Sequence, residues 1–145
     1  MHSTNYHDTF IAVAPDCPAS RGTVPPDSAT PSAALLAYRL IQAQPYALTS
    51  DDVLFSVYAE RKKLPPSQRP QARAAFFAKP QACLRASDLG KRYGWGIHSN
   101  SEGKVALVGV ETPEYQALVS GTRPGQPGQT VVVRYAMRSK RATAA

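Results

Sequence analysis

Cysteine is scarce: only Cys17 and Cys83 occur among the 145 residues. The opening, Met1-His2-Ser3-Thr4-Asn5-Tyr6, also lacks the basic and apolar regions of a secretory signal. Together these argue for two free thiols and a cytoplasmic location, and against a disulfide scaffold. No Cys-x-x-Cys or His-x-x-x-His pair is present, and His2, His7 and Asp8 match no ligand spacing, so no metal is expected. No motif implies a cofactor. No run approaches the roughly 18 apolar residues of a membrane helix, so no membrane partner is expected. Acidic residues are missing altogether from residues 120–145.

What is present fits one domain. Hydrophobic residues make up 43% of the chain and charged residues 19%, ordinary values for a soluble protein. A chain of this length buries about 68–70% of its unfolded surface and needs no staple. Residues 1–145 are therefore read as a single globular domain with a frayed basic end from about residue 138. The net charge of +7 is uneven: residues 60–92 carry nine Lys and Arg against Glu60 and Asp88, and residues 120–145 carry Arg123, Arg134, Arg138, Lys140 and Arg141. If the fold joins these two blocks, they form a patch that attracts anions; if it does not, each is a solvated face.

The most informative stretch is Cys83 to Val110. Ser87-Asp88 is a helix start, since the serine oxygen can accept from first-turn N–H groups and the carboxylate suits the positive end of the dipole. The helix should run to about Tyr93, with Lys91 and Arg92 in its last turn and Gly94 as its left-handed stop. Asn100-Ser101-Glu102-Gly103-Lys104 then types a hairpin turn. Counting outward pairs His98 with Ala106, Ile97 with Leu107, Gly96 with Val108 and Trp95 with Gly109. Trp95, Ile97, Val105 and Leu107 share one face, the expected core face, and His98 lies on the other with Gly94, Gly96, Ala106, Val108 and Val110. Glycines so placed admit either packed neighbours or a ligand.

Elsewhere, Thr9 to Val13 reads as a strand. A helix is expected from a Thr30 cap with Pro31 at its first position, burying Ala33, Leu36, Ala37, Leu40 and Ile41. A second starts at Thr49, with Asp52 completing a capping box, and carries the stripe Val53, Leu54, Val57 and Tyr58. A third covers about Pro70 to Lys79 with Ala72, Ala75 and Phe76 inward. Gln81 to Arg85 reads as a short strand, and Thr112-Pro113 caps a further helix. Gly121 to Gly128 reads as a flexible loop, and Thr130 to Met137 is the strongest strand signal in the chain. The sum is an α+β fold: a largely antiparallel sheet of about five strands, with about four helices packed mainly on one face.

Several segments resemble those of a family of small proteins, domain of unknown function 6157. They are Thr4-Asn5-Tyr6-His7-Asp8-Thr9-Phe10-Ile11 through Cys17-Pro18, Thr49-Ser50-Asp51-Asp52-Val53-Leu54-Phe55, Cys83 through His98, and Ala136-Met137-Arg138-Ser139-Lys140-Arg141. The resemblance spans nearly the whole chain and implies a single domain. It implies no activity.

Three function classes follow from the residues. The first is a binding module for an anionic ligand, either a phosphorylated metabolite, a nucleotide or a nucleic acid. Arg85 precedes the Ser87 helix, whose free N–H groups can hold a phosphate, and Lys91, Arg92, Arg138, Lys140 and Arg141 can supply counter-charge beside His98. Tyr93 and Trp95 offer planar surfaces for a base. The competing explanation gives those aromatics to the core and those charges to caps and solvated faces. The second class is an enzyme with Cys83 as nucleophile and His98 as base, Arg85 favouring the thiolate; against it, a strand cysteine beside Leu84 is commonly a small buried hydrophobe. The third is a subunit that works through protein contacts without catalysis. Substrate and oligomeric state leave no mark in the sequence.

Overall fold

The central hairpin sets the sheet. In a computed structural model that describes residues 1–139, β2 (Trp95–Ser99) and β3 (Val105–Gly109) pair antiparallel, with Trp95 opposite Gly109 and His98 opposite Ala106. That is the register expected from the turn residues. Gly103 sits at φ 78°, and Asn100 Oδ1 accepts from the N–H groups of Glu102 and Lys104. Lys140 and Arg141 lie outside the described residues.

β1 (Thr9–Ala12) adds antiparallel to β2, with Phe10 opposite His98 and Ile11 opposite Ile97. On its far side β6 (Val132–Tyr135) pairs parallel, with Phe10 opposite Val133. The order is β3-β2-β1-β6. The fold is α+β, with a mixed sheet of four strands. One parallel pair is forced by the path of the chain: β3 runs in the direction of β1, and the chain returns to the same end before entering β6. It does so through α5 (Pro113–Val119) and the small hairpin of β4 (Thr122–Arg123) and β5 (Gln126–Thr130).

That small hairpin replaces the flexible loop expected at Gly121–Gly128. Pro124 and the positive-φ Gly125 stand between its strands, the residues a type II turn favours at its two central positions. The strand expected at Gln81–Arg85 is also absent; Leu84–Ala86 is a 3₁₀ turn instead. Leu84 is buried there, and Arg85 is spent on the last strand, its Nε donating to Tyr135 O at 2.7 Å and its carbonyl accepting from Met137 N–H at 2.8 Å.

Helices cover both faces unequally. α1 (Ala33–Ala43), α2 (Ser50–Arg61) and α4 (Asp88–Lys91) lie on the Ile11, Ile97 and Val105 face, packing Ala37, Ile41, Val53, Val57 and Leu89 against it. On the other face Phe10 and Ala12 meet Tyr115 and Leu118 of α5. α3 (Arg69–Phe77) packs on α2 through Phe55, Ala59 and Phe77.

Caps explain the helix limits, with some differences from expectation. Thr49 and Asp52 form both halves of the capping box. α1 is capped by Ser32, whose hydroxyl accepts from Leu35 N–H, two residues beyond the expected Thr30, and it buries Leu35 where Leu36 was expected. α2 buries Phe55 and Ala59 as well as Val53 and Val57 because it lies between α1 and α3, and Tyr58 is exposed. In α3, Phe77 is the buried residue and Ala75 is exposed. α4 stops at Lys91, short of Tyr93. Among the described residues no helix is long and apolar enough to cross a membrane.

Candidate functional site

The expected basic cluster is partly assembled. Arg85 meets the C-terminal segment as described, and Arg134 stands on the same flank, where both guanidinium charges act on the Tyr6 hydroxyl. Arg138 is exposed, and Ser139 N–H donates to Asp16 Oδ2 at 3.0 Å, so the chain is tied down one residue past the expected fraying point. The other members go elsewhere. Ser87 caps a helix of only four residues, its oxygen accepting from Leu89 N–H. Arg92 Nε lies 3.7 Å from Asp88 across one turn of α4, and Lys91 is half-buried in the last turn.

Both expected stacking rings are engaged in packing and half-buried, although Trp95 also lines a cavity that it shares with His98. Trp95 Nε1 donates to Thr23 O at 2.8 Å, its ring packs on Tyr38 at 5.6 Å, and Gly22 lies against the indole. Tyr93 packs on the main core, and its carbonyl accepts from Thr23 N–H. The space flanking His98 is filled as well: the Phe10 and Tyr115 rings occupy the position a side chain at Gly96 would take, and the Arg21 carbonyl does so at Gly94.

Cys83 and His98 do not meet. The Cys83 thiol is half-buried, 3.4 Å from Tyr6 Oη, and lines a cavity of about 450 Å³ between α1, α2 and the Leu84 turn. The thiol contact raises the Tyr6 hydroxyl above its ordinary value, with burial adding to it and Arg85 and Arg134 opposing. His98 points from the opposite face of the sheet, beside Phe10.

Around His98 a second site is built from four elements. Strand alternation turns the imidazole into the Phe10 face, where it is 1% exposed. Past the end of α1, Tyr46 takes a left-handed φ of 58°, and its N–H donates to Val105 O at 2.9 Å, fastening the loop along the edge of β3. The phenol thereby reaches over that edge. Its hydroxyl is hydrogen-bonded to His98 Nδ1 at 2.8 Å, with the rings edge to face at 5.6 Å. From β4 the Arg123 guanidinium lies 5.9 Å from the centre of the Tyr46 ring. Glu114 comes from the first turn of α5. These groups line a cavity of about 480 Å³ with an apolar bed that includes Ala106, Val108 and Leu118.

The chain matches the family of unknown function DUF6157 over residues 1–142. It belongs to that family. The matched span contains every residue of both cavities, so the DUF6157 domain holds the His98 site entire. No curated protein and no solved structure matches the chain.

In this DUF6157 domain the charge states around His98 follow from burial. Burial first, then the Arg123 charge, pushes the imidazole down to about 4, against a pull upward from Asp8. Burial also raises the Tyr46 phenol, opposed by Arg123. At neutral pH the cavity therefore presents a neutral imidazole, a neutral phenol, one guanidinium and one carboxylate. An imidazole that protonates near pH 4 is a weak proton acceptor at pH 7, so the arrangement suits recognition better than acid–base chemistry. Among the described residues no cluster of His, Cys, Asp and Glu could hold a metal ion.

Tyr46, Arg123 and Glu114 escaped the sequence reading. Arg123 opens the acid-free C-terminal block, which was a usable signal. Tyr46 carried none, because its role arises from one backbone bond to β3. Glu114 read simply as a first-turn acid.

Proposed function

We propose that the protein is a binding module for a small anionic molecule, seated in the His98–Tyr46–Arg123 cavity. One observation carries the reading: Arg123 makes no ion pair among the described residues, yet it lines a half-open cleft beside a buried His98 that is hydrogen-bonded to the part-exposed Tyr46. A cavity of this size, mostly apolar and bearing a few convergent polar groups and a perturbed histidine, is the usual form of a small-molecule site. The involvement of Trp95 in packing favours a small molecule over a nucleic acid. The separation of Cys83 from His98 favours binding over thiol catalysis. The cytoplasmic placement is supported by two half-buried cysteines that are both free.

The test is a titration of isotope-labelled protein with simple carboxylates and phosphomonoesters, followed through the His98 ring and the amides of Tyr46 and Arg123. Binding is expected to move these signals. Arg123→Gln should weaken it about tenfold or more, as loss of a charge-assisted hydrogen bond of roughly 1.5–3 kcal/mol requires. Arg134→Gln, on the other flank, should leave it unchanged. Shifts confined to residues around Arg85 and Arg134 would move the anion site to that flank, and no shift at all would refute the reading.

A further inference from the structure

The charges that line the His98 cavity are balanced. Arg123 and Glu114 are its two ionised walls; they are not paired with each other, and among the described residues neither is paired with anything else. His98 and Tyr46 are neutral. Thr112 is committed, its hydroxyl donating to Gly109 O at 2.8 Å and accepting from Tyr115 N–H. A dianion would leave Glu114 opposed and one of its own charges uncompensated. A carboxylate with an ammonium group close by would satisfy both walls, since each charge then meets its opposite across one cleft.

We propose that the ligand is zwitterionic: an α-amino acid with an apolar side chain, its carboxylate on Arg123 and the Tyr46–His98 pair, its ammonium on Glu114. This rests on the anion-binding reading above and narrows it. Ala106, Val108 and Leu118 supply the bed for the side chain, and the volume suits one molecule of amino-acid size. Glu114 also suits the positive end of α5, but that role accounts only for its position along the helix, not for its place in the cavity wall beside an unpaired guanidinium.

The experiment uses the full chain in calorimetric titration with the twenty free amino acids. Those that bind are then tested as the N-acetyl derivative, which keeps the carboxylate alone, and as the amide, which keeps the ammonium alone. At least one apolar amino acid should bind ten times or more tightly than either derivative. Glu114→Gln should lower the free amino acid to the level of its N-acetyl form and leave that form unchanged. Equal binding of the free and N-acetyl forms, or an amino acid indifferent to Glu114→Gln, would overturn the zwitterion assignment while leaving the anion reading intact. Failure of all twenty, with simple carboxylates still bound through Arg123, would do the same. Failure of every probe would remove both. The derivative comparison uses the unaltered protein and so does not depend on how the variant folds.

Discussion

Acid should weaken this fold through His98 from about pH 6.5 downward. In the unfolded chain the imidazole takes up its proton near the ordinary 6.5, whereas in the fold burial and Arg123 delay this to about 4. Between those values the unfolded state binds the extra proton, so stability falls as pH falls. The contribution is whole above 6.5 and exhausted by about 4. Two and a half units at 1.36 kcal/mol each give about 3 kcal/mol, a sizeable share of the 5–15 kcal/mol typical of a domain. Asp52 does not confuse the window: burial pushes its carboxyl up, but Thr49 N–H and Arg73 outweigh this and hold it below the usual value. The measurement is urea unfolding at successive pH values for the wild type and His98→Gln. The difference between the two curves should shrink by about 3 kcal/mol from pH 7 to pH 4. Parallel curves, or a His98 ring that titrates in the folded protein at 6.5 or above, would refute the argument. Arg123→Gln should move the ring's titration upward.

Other changes test the packing and the caps. Gly96→Ala places a methyl 2.7 Å from Phe10 Cε1 and 3.1 Å from Tyr115 Cε2, and should cost about 1–3 kcal/mol of unfolding free energy as overpacking does; unchanged stability would mean that the two rings yield. Asp51→Ala strips the acceptor from Ser3 Oγ, Thr4 N–H and Thr4 Oγ1, bonded at 2.7–2.8 Å. It should destabilise by roughly 3 kcal/mol, since buried donors are left unmet, and hydrogen exchange at Thr4 should speed up first. Thr49→Ala removes one half of the capping box and should cost about 1 kcal/mol, read from the denaturation midpoint.

How much of this was legible depended on range. The hairpin register was set by Asn100 and Gly103, residues that act within their own turn, and it came out pair for pair. The Thr49 capping box and the Ser87 and Thr112 caps were readable for the same reason. Failures came wherever a distant partner decided the matter. Gln81–Arg85 has strand-like neighbours, but the last strand claims Arg85, and the segment turns. Pro124-Gly125 reads as slack until Thr130 is placed opposite Thr122. The site followed the same rule: His98 was visible as an imidazole sharing a strand face with two glycines, while the residues that give it chemistry arrive from a loop after α1 and from a hairpin 25 positions downstream of it, counting His98 to Arg123. The basic blocks do touch, at Arg85, on the side of the sheet away from that imidazole.

A last consequence concerns Arg85 and the Tyr46 loop taken together. Sheets polymerise when a border strand shows an unmet row of amides and carbonyls to a passing chain. At one border here, Tyr46 N–H and Leu48 O bond to Val105; at the other, Arg85 occupies Tyr135 O and Met137 N–H. Irregular backbone at one margin and Arg85 at the other therefore interrupt each exposed row near one end, which shortens the stretch that a passing chain could use as a template.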